Sequence, residues 1–244
     1  MNWTGEKSRL GAVAAPVASK IRGTASAPAA APPTSVTKSN HKPESFRLSN
    51  GLKDFLWLIS DVENGRLLDL GQVSQATLNF FIERGFRVTT DDMLRSWKEF
   101  RSTVEEKQRN APPSDFNEPL SPEEIAQNFL ENSLQYSDDQ FNAVLVWDIF
   151  DRLDAELLSR VASRLYDIVH PGGAVLALFH SKTPDRTYRY RIVDNQTIEI
   201  VPIGPTSPHV RIFQNREILN LFNRFRSAKT FVGRDQLREG LFIK

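Results

Sequence analysis

The chain has 244 residues, of which 40% are hydrophobic and 25% are charged, with a formal net charge of +1, so it can form one good-sized domain with a single core. Cysteine is absent and the four histidines show no ligand-like spacing, which excludes disulfides and cysteine-based metal sites and argues against a zinc site. No run approaches the roughly 18 apolar residues of a membrane-spanning helix, so we expect a soluble protein in a reducing cytoplasm.

Residues 1–45 are rich in Ala, Pro and Ser and contain few large apolar side chains. Because such a segment buries too little apolar surface to offset its chain entropy, we predict a disordered tail and a folded domain over residues 46–244. The tail up to Glu44 has a net charge of +4, which leaves −3 for the remainder. It is either a targeting or tethering segment or a solvated tail, and its spread-out charge does not predict a nucleic-acid partner.

The first predicted helix lies between Phe46 and Asp61, where apolar residues recur at helical spacing. Ser49 or Asn50 is available as its N-cap, since either side chain accepts a hydrogen bond from the N-terminal backbone of a helix. Trp57 belongs to the apolar stripe, so we expect it in the core rather than on a ligand.

Residues 66–92 have the pattern of one strand–turn–helix–strand unit. An apolar run that ends at Gly71 is typical of a buried parallel strand, and the helical spacing that follows ends at Gly85, which suits a left-handed C-cap. A second strand of alternating residues then leads into Asp91 and Asp92, about 20 residues after the turn. An acidic residue at that distance is where a nucleoside ribose is usually held.

This unit resembles the first motif of the class I S-adenosylmethionine-dependent methyltransferases, an apolar strand followed by Asp-x-Gly-x-Gly-x-Gly. Asp69 and Gly71 match the motif, whereas Val73 and Gln75 stand at the second and third glycines. The substitutions predict a turn that is wider or more crowded than that of an ordinary member.

The resemblance also implies roles for individual residues of the chain. Gly71 and Gln72 would let the backbone reach the methionine moiety of the cofactor, and Asp92 would hold the ribose hydroxyls. Asp91 is the alternative ribose ligand if the strand is one residue shorter. The implied cofactor-binding residues are Asp69, Gly71, Gln72, Asp92 and Trp147.

Residues 93–140 predict a helical insertion in place of the third parallel strand of the family. Helical spacing from Met93 to Val104 is followed by a proline-rich break at 111–115. Ser121 and Pro122 then suit the N-cap and first position of a second helix. The insertion is either a lid that contacts the substrate or a structural helical pair.

Residues 141–150, Phe-Asn-Ala-Val-Leu-Val-Trp-Asp-Ile-Phe, predict an apolar strand that resembles the fourth strand of the family. The resemblance implies that Trp147 and Asp148, near its C-terminal end, face the reactive methyl group. Asp148 is a candidate to orient a hydroxyl or amine of the substrate or to act as a base; the alternative is a helix-capping or turn acid.

Residues 153–169 have helical spacing and end at His170-Pro171-Gly172-Gly173, after which residues 174–179 predict an apolar strand. This is the most specific resemblance to the family, and its proline stops the helix while its glycines permit the reversal. His180 follows the strand at the predicted ligand edge. It is a candidate general base, with a hydrogen-bonded structural role as the alternative.

Residues 187–201 predict a β-hairpin insertion with its turn at Asp194-Asn195. Its arginines favour an acidic or phosphorylated partner, or they are simply solvated. A helix at 214–225 and two strands, at 228–232 and 237–243, then resemble the antiparallel end of the methyltransferase sheet.

Together these patterns predict an α/β fold with a doubly wound, mainly parallel, Rossmann-like sheet of seven strands and an antiparallel C-terminal strand. The resemblance implies an S-adenosylmethionine-dependent methyltransferase that acts on an unidentified small molecule or macromolecule. The loss of two motif glycines leaves an alternative, a catalytically inactive scaffold that binds other proteins through its insertions. We expect no metal cofactor in either case.

Overall fold

The structure is a computed structural model that describes residues 45–110, 119–206, 209–233 and 235–244. The predicted N-terminal tail lies outside these residues except for Ser45, and so does the proline-rich break at 111–115. The described strands are β1 (Ser45–Leu48), β2 (Arg66–Asp69), β3 (Arg87–Thr90), β4 (Phe141–Trp147), β5 (Val169–His180), β6 (Arg186–Ile192), β7 (Thr197–Pro205), β8 (Ser227–Val232) and β9 (Leu237–Ile243). The described helices are α1 (Asn50–Leu58), α2 (Gln75–Ile82), α3 (Met93–Asn110), α4 (Pro122–Asn132), α5 (Ala155–Ile168) and α6 (Asn215–Leu221), with a 3-10 turn at Phe150–Arg152.

Three helix ends follow the capping residues that the sequence offers. The Ser49 hydroxyl accepts from Leu52 N at 2.9 Å and begins α1. Ser121 and Glu124 form a reciprocal capping box at the start of α4. Gly85 has a φ of +82° and ends the turn after α2, as predicted, because a residue with a Cβ is disfavoured there.

The main sheet has the order β3-β2-β4-β5-β9-β8. The first four strands are parallel, and β9 runs antiparallel to both of its neighbours. The mainly parallel Rossmann-like sheet with an antiparallel C-terminal strand is therefore confirmed. The predicted count of seven strands is wrong for the described residues, which form six: α3 begins at Met93, directly after β3, where the family places the path to a third strand.

Helices cover both faces of this sheet, as the doubly wound pattern predicts. The apolar sides of α3, α4, α5 and α6 pack on one face, with Trp97, Phe129 and Leu165 among the buried side chains. On the other face, α1 and α2 bury Phe55 and Phe81. Each such side chain contributes about 1.5–3 kcal/mol by leaving water, so these two clusters supply most of the driving force for the fold.

A second sheet of three strands, in the order β1-β7-β6, packs beside α2. The predicted hairpin forms its β6 and β7, whereas the sequence predicted no strand at β1 and only a helix capped at Ser49 or Asn50, where α1 does begin. Arg47 of β1 is buried and joins this sheet to the main one through an ion pair of 2.6 Å with Glu239. Trp57 was expected in the core but is 75% exposed on α1.

Candidate functional site

A cavity of about 620 Å³ lies where β2, β3 and β4 reach their carboxyl ends. The turn after β2, the first turns of α3 and the edge strand β6 surround it. Five of the predicted site residues line it: Gly71, Gln72, Asp92, Trp147 and Asp148. Ligands of open parallel sheets bind at this edge, so the cavity is the candidate site.

Backbone hydrogen bonds on both sides fix Asp92 beside the turn. Asp91 N donates to Asp69 O at 2.9 Å, and Met93 N donates to Leu70 O at 3.2 Å. The chain therefore continues the parallel pairing past β3 and brings the carboxylate of Asp92 to the cavity wall.

The two neighbouring acids that sequence left as alternatives have different surroundings. Asp92 lines the cavity, and its Oδ1 accepts from Arg95 N at 3.2 Å, so it also caps α3. Asp91 does not line the cavity; its Oδ2 accepts from the Tyr136 hydroxyl at 3.5 Å, and burial raises its pKa. The geometry favours Asp92 as the acid that faces a ligand.

Asp69 is 1% exposed and lies beneath the turn rather than on the cavity surface. Its Oδ1 accepts from Trp147 Nε1 at 2.7 Å and from Gly71 N at 3.0 Å. Burial raises the pKa of this carboxyl, while the two N–H donors act in the opposite direction. Asp69 thus organises the turn from below.

Trp147 has an unusual backbone conformation, with a φ of +55°. A bulky residue in the left-handed region costs on the order of 1–3 kcal/mol and persists only where surrounding contacts hold it. The pairing of β4 with β5 shifts register between Leu145 and Trp147, so β4 ends here instead of running to Phe150 as predicted.

The indole of Trp147 is held from two sides and is 4% exposed. It stacks on Tyr190 of β6, with ring centroids 5.7 Å apart and planes inclined by 7°. A Cβ added at Gly71 would lie 2.3 Å from Trp147 Cδ1, so only glycine fits under the indole. The space next to Gly71 is therefore filled by an aromatic ring.

Val73 and Gln75, which replace the second and third motif glycines, do not fill the cavity. Val73 is 53% exposed, and the Gln75 amide bonds to Asn79 on the surface of α2 at 2.7 Å. The crowding predicted for this turn is real, but Trp147 from a different strand produces it.

Asp148 is 4% exposed and lines the cavity next to Trp147. Its Oδ2 lies 2.5 Å from Arg152 Nη2, an ion pair that spans the 3-10 turn. Burial, followed by the negative charge of Asp148, raises the pKa of the Tyr190 hydroxyl far above its usual value. Asp148 therefore presents a paired carboxylate at the cavity wall, and its ion pair across the 3-10 turn also fits the turn acid that sequence offered as the alternative.

His180 does not join these residues. It lines a second cavity of about 330 Å³, separated from the first by Tyr188 and Tyr190, which contact both. Its Nδ1 lies 2.8 Å from Asp151 Oδ2, and its backbone N–H donates to the same oxygen at 2.7 Å. These bonds match the structural role that sequence offered as the alternative to catalysis.

Arg95, Lys98 and Arg101 of α3 also line the first cavity, and sequence reasoning missed them. Arg189 of β6 lines it too and is one of the hairpin arginines that the sequence assigned to an acidic partner or to solvent. Arg101 pairs with Asp154, whereas Lys98 has no ion-pair partner among the described residues. Arg189 Nε is buried without a hydrogen bond within the same part of the chain. The helical insertion thus contacts the cavity, although its Trp97 also packs against Phe129 as a structural pair would.

Within the described ranges, no cluster of His, Asp and Glu side chains is arranged to hold a metal ion. In the same ranges, no helix has the length and apolar character needed to cross a membrane.

Comparisons with known proteins gave similar solved structures. No family model matches the chain, and no curated protein matches it. Similar structures include a 1,6-didemethyltoxoflavin-N1-methyltransferase from Burkholderia thailandensis with bound S-adenosylhomocysteine (13% identity, 80% of this chain and 76% of that one, TM-score 0.42). Another is a putative type 11 methyltransferase from Sulfolobus solfataricus (15% identity, 79% of this chain and 90% of that one, TM-score 0.43). A third is a TehB-like SAM-dependent methyltransferase from Corynebacterium glutamicum (12% identity, 80% of this chain and 87% of that one, TM-score 0.42).

The class I methyltransferase resemblance of the fold rests on the sheet of this chain itself. Four parallel strands are followed by an antiparallel β9 that lies between β5 and β8.

Proposed function

We propose that this chain is an S-adenosylmethionine-dependent methyltransferase and that its larger cavity binds the nucleoside end of the cofactor. The observation that carries the proposal is the meeting of Gly71, Gln72, Asp92, Trp147 and Asp148 around one cavity at the ligand edge of a parallel sheet. These residues come from the ends of three strands, so their proximity is a property of the fold and not of one local motif.

Asp92 supplies the group that a ribose requires. Carboxylate oxygens accept strong hydrogen bonds from two adjacent hydroxyls, and the bond to Arg95 N at 3.2 Å uses only part of this capacity. Leu94 and Trp97 add apolar surface against which a base can pack. The cavity of about 620 Å³ lies within the roughly 300–1,000 Å³ of small-molecule sites.

The amino-acid end of the cofactor does not fit the arrangement beside Gly71. The family resemblance implies that the backbone there contacts the methionine moiety, but the Trp147 indole is in that place, 2.3 Å from where a Cβ of Gly71 would be. Asp69 Oδ1 is already bonded to the indole N–H. We therefore assign no methyl-transfer step to this conformation; transfer requires the indole to leave Gly71.

We assign the acceptor side of the cavity to Asp148 and β6. A buried carboxylate paired with Arg152 orients a hydroxyl or amine of the acceptor without needing to take its proton. The acceptor itself is unidentified, either a small molecule or part of a macromolecule.

The second candidate function is a methyltransferase-like scaffold without catalysis. The specific observation in its favour is Trp147, whose ring closes the turn that a catalytic member keeps open. The two functions differ in whether a nucleoside binds at Asp92.

Calorimetric titration of the full chain with 5′-methylthioadenosine and with S-adenosylhomocysteine tests the proposal. Asp92→Asn retains a side chain that caps α3 but removes the charge, so we expect at least tenfold weaker nucleoside binding, about 1.4 kcal/mol. Asp91→Asn is the matched control, and its affinity should equal that of the wild type because Asp91 does not line the cavity.

Equal nucleoside affinity in wild type and Asp92→Asn would contradict the assignment of Asp92. Absence of nucleoside binding in the wild type and in every variant of Trp147 would sink the methyltransferase proposal and leave the scaffold.

A further inference from the structure

We infer that the Trp147 side chain occupies the subsite of the amino-acid tail, so that in this conformation the cavity accepts nucleosides without such a tail, for example 5′-methylthioadenosine or adenosine. This selectivity rests on the proposed function, because it assumes that the ribose binds at Asp92. Trp147 is then the residue that determines which class of nucleoside the cavity binds.

The first support is the contact between two distant parts of the chain. Gly71 follows β2 and Trp147 ends β4, yet the Trp147 Cδ1 and Nε1 atoms would lie 2.3 and 2.7 Å from a Cβ at Gly71. A ligand chain that runs over Gly71 would have to pass through the same volume. The ring and a ligand tail therefore exclude each other.

The second support is the set of bonds that hold the ring in place. Trp147 Nε1 donates to Asp69 Oδ1 at 2.7 Å. The indole also stacks on the Tyr190 ring, with the ring centroids 5.7 Å apart. A buried indole N–H needs an acceptor, so the ring leaves only if the tail or water replaces Asp69 as its partner. Because Asp69 Oδ1 already accepts from the indole, it is not available to bind a ligand.

The third support is the backbone of Trp147, with its φ of +55°. A left-handed tryptophan is strained, so the bond to Asp69 and the stack on Tyr190 act against a conformational preference of the residue itself. A return of φ to the negative region would relieve this strain and redirect the side chain away from Gly71, which defines an open position of the residue. A ligand with a tail binds only to that open position and loses affinity by the fraction of molecules that are closed.

The rest of the cavity does not depend on this ring. Asp92 and Leu94 line the cavity from the start of α3. A nucleoside that ends at its 5′ substituent uses these groups and leaves the indole where it is.

The test compares 5′-methylthioadenosine, adenosine and S-adenosylhomocysteine by calorimetry on the full chain. In the wild type, we expect 5′-methylthioadenosine to bind at least as tightly as S-adenosylhomocysteine. In Trp147→Ala, we expect S-adenosylhomocysteine to gain at least tenfold relative to 5′-methylthioadenosine. Trp57→Ala is the matched control, since Trp57 is 75% exposed on α1, and it should leave the ratio unchanged.

Trp147→Phe keeps the protein testable if the alanine variant does not fold. It retains an aromatic ring against Tyr190 but removes the N–H that bonds to Asp69, so we expect a shift of several-fold in the same direction. Melting curves of each variant, recorded beforehand, establish which forms are folded.

S-adenosylhomocysteine that binds the wild type tenfold tighter than 5′-methylthioadenosine would overturn this inference and leave the proposed function standing. An unchanged ratio in a folded Trp147→Phe or Trp147→Ala would overturn it as well. If no nucleoside binds any form, the proposed function fails, and the inference fails with it.

Discussion

Two buried carboxylates, Asp69 at the end of β2 and Asp151 in the 3-10 turn after the neighbouring β4, have different partners. Asp69 accepts from an indole and a backbone N–H, whereas both donors to Asp151 come from His180. Burial is the largest cause of the raised pKa in each case, and it brings the pKa of Asp151 to about 6. Hydrogen bonds to the charged form reduce these shifts without cancelling them.

The raised pKa of Asp151 predicts a specific pH dependence of stability. The folded protein binds more protons here than the unfolded chain between about pH 4 and 6, so the contribution of Asp151 to the free energy of unfolding falls as pH rises through that window. A shift from 3.8 to about 6 corresponds to roughly 3 kcal/mol. We expect the stability of wild type relative to Asp151→Asn to decline by about this much from pH 4 to 7 in chemical denaturation.

The carboxyl ¹³C chemical shift of Asp151 gives an independent measurement, with an expected midpoint near 6. Asp194 is a control of the same type in the same protein: it is exposed, and the backbone N–H of Gln196 lowers its pKa. A titration of Asp151 at the ordinary aspartate pKa would show that burial does not act on it as described.

At the scale of single elements, the turn after α2 shows how a left-handed glycine ends a helix. Gly85 N donates to Ile82 O at 2.9 Å, and Phe86 N donates to Phe81 O at 3.0 Å, which pairs two of the last carbonyls of the helix. The same bonds aim the chain into β3, and β3 leads to Asp92. The direction of this turn therefore contributes to the position of the candidate site.

Gly85→Ala should destabilise the protein by about 1 kcal/mol, because alanine is disfavoured at a φ of +82° although open space surrounds the position. Gly204 on β7 is the matched control: its surroundings are equally open, but its φ is not left-handed. We expect Gly204→Ala to change the unfolding free energy by less than about 0.5 kcal/mol, measured by denaturant titration. Equal effects of the two changes would contradict the assigned role of backbone conformation.

Elements with local signals were predictable from sequence. Ser121 with Pro122 predicted the start of α4, and Gly85 predicted the end of the turn after α2. The four residues of β1 carry no such signal, since only Arg47 among them is buried and it is charged. Its strand conformation depends on pairing with β7, about 150 positions later in the chain.

The candidate site divides in the same way between local and distant causes. Gly71, Asp92 and Asp148 follow apolar strands, so their approach at one sheet edge was predictable from parallel topology. The position of the Trp147 ring was not predictable from the sequence, because it depends on the strained φ of Trp147 and on Tyr190 from the small sheet. His180 was assigned to the same edge, yet β6 separates it from the cavity.

At the scale of the whole molecule, Arg47 and Glu239 connect the two sheets. Arg47 Nη2 lies 2.6 Å from Glu239 Oε1, and the other carboxylate oxygen accepts from the backbone N–H of Gly51. Burial is the largest cause of the raised pKa of Glu239, and the charge of Arg47 acts against it. Because both side chains are buried, loss of Arg47 leaves an unpaired charge, which costs roughly 3–5 kcal/mol.

This connection predicts different outcomes for two N-terminal deletions. Removal of residues 1–44 retains β1 and Arg47, so we expect a melting midpoint within about 2 °C of the full chain. Removal of residues 1–48 takes away β1 and its pairing with β7, which should lower the free energy of unfolding by at least about 3 kcal/mol. At about 2–4 °C per kcal/mol, we expect the melting midpoint to fall by roughly 6–12 °C. Arg47→Ala in the full chain separates the ion pair from the strand pairing and should account for most of that fall. Equal midpoints for the two deletions would show that β1 does not stabilise the fold, and a fall of several degrees on removing 1–44 alone would show that the segment before β1 contributes to the folded domain.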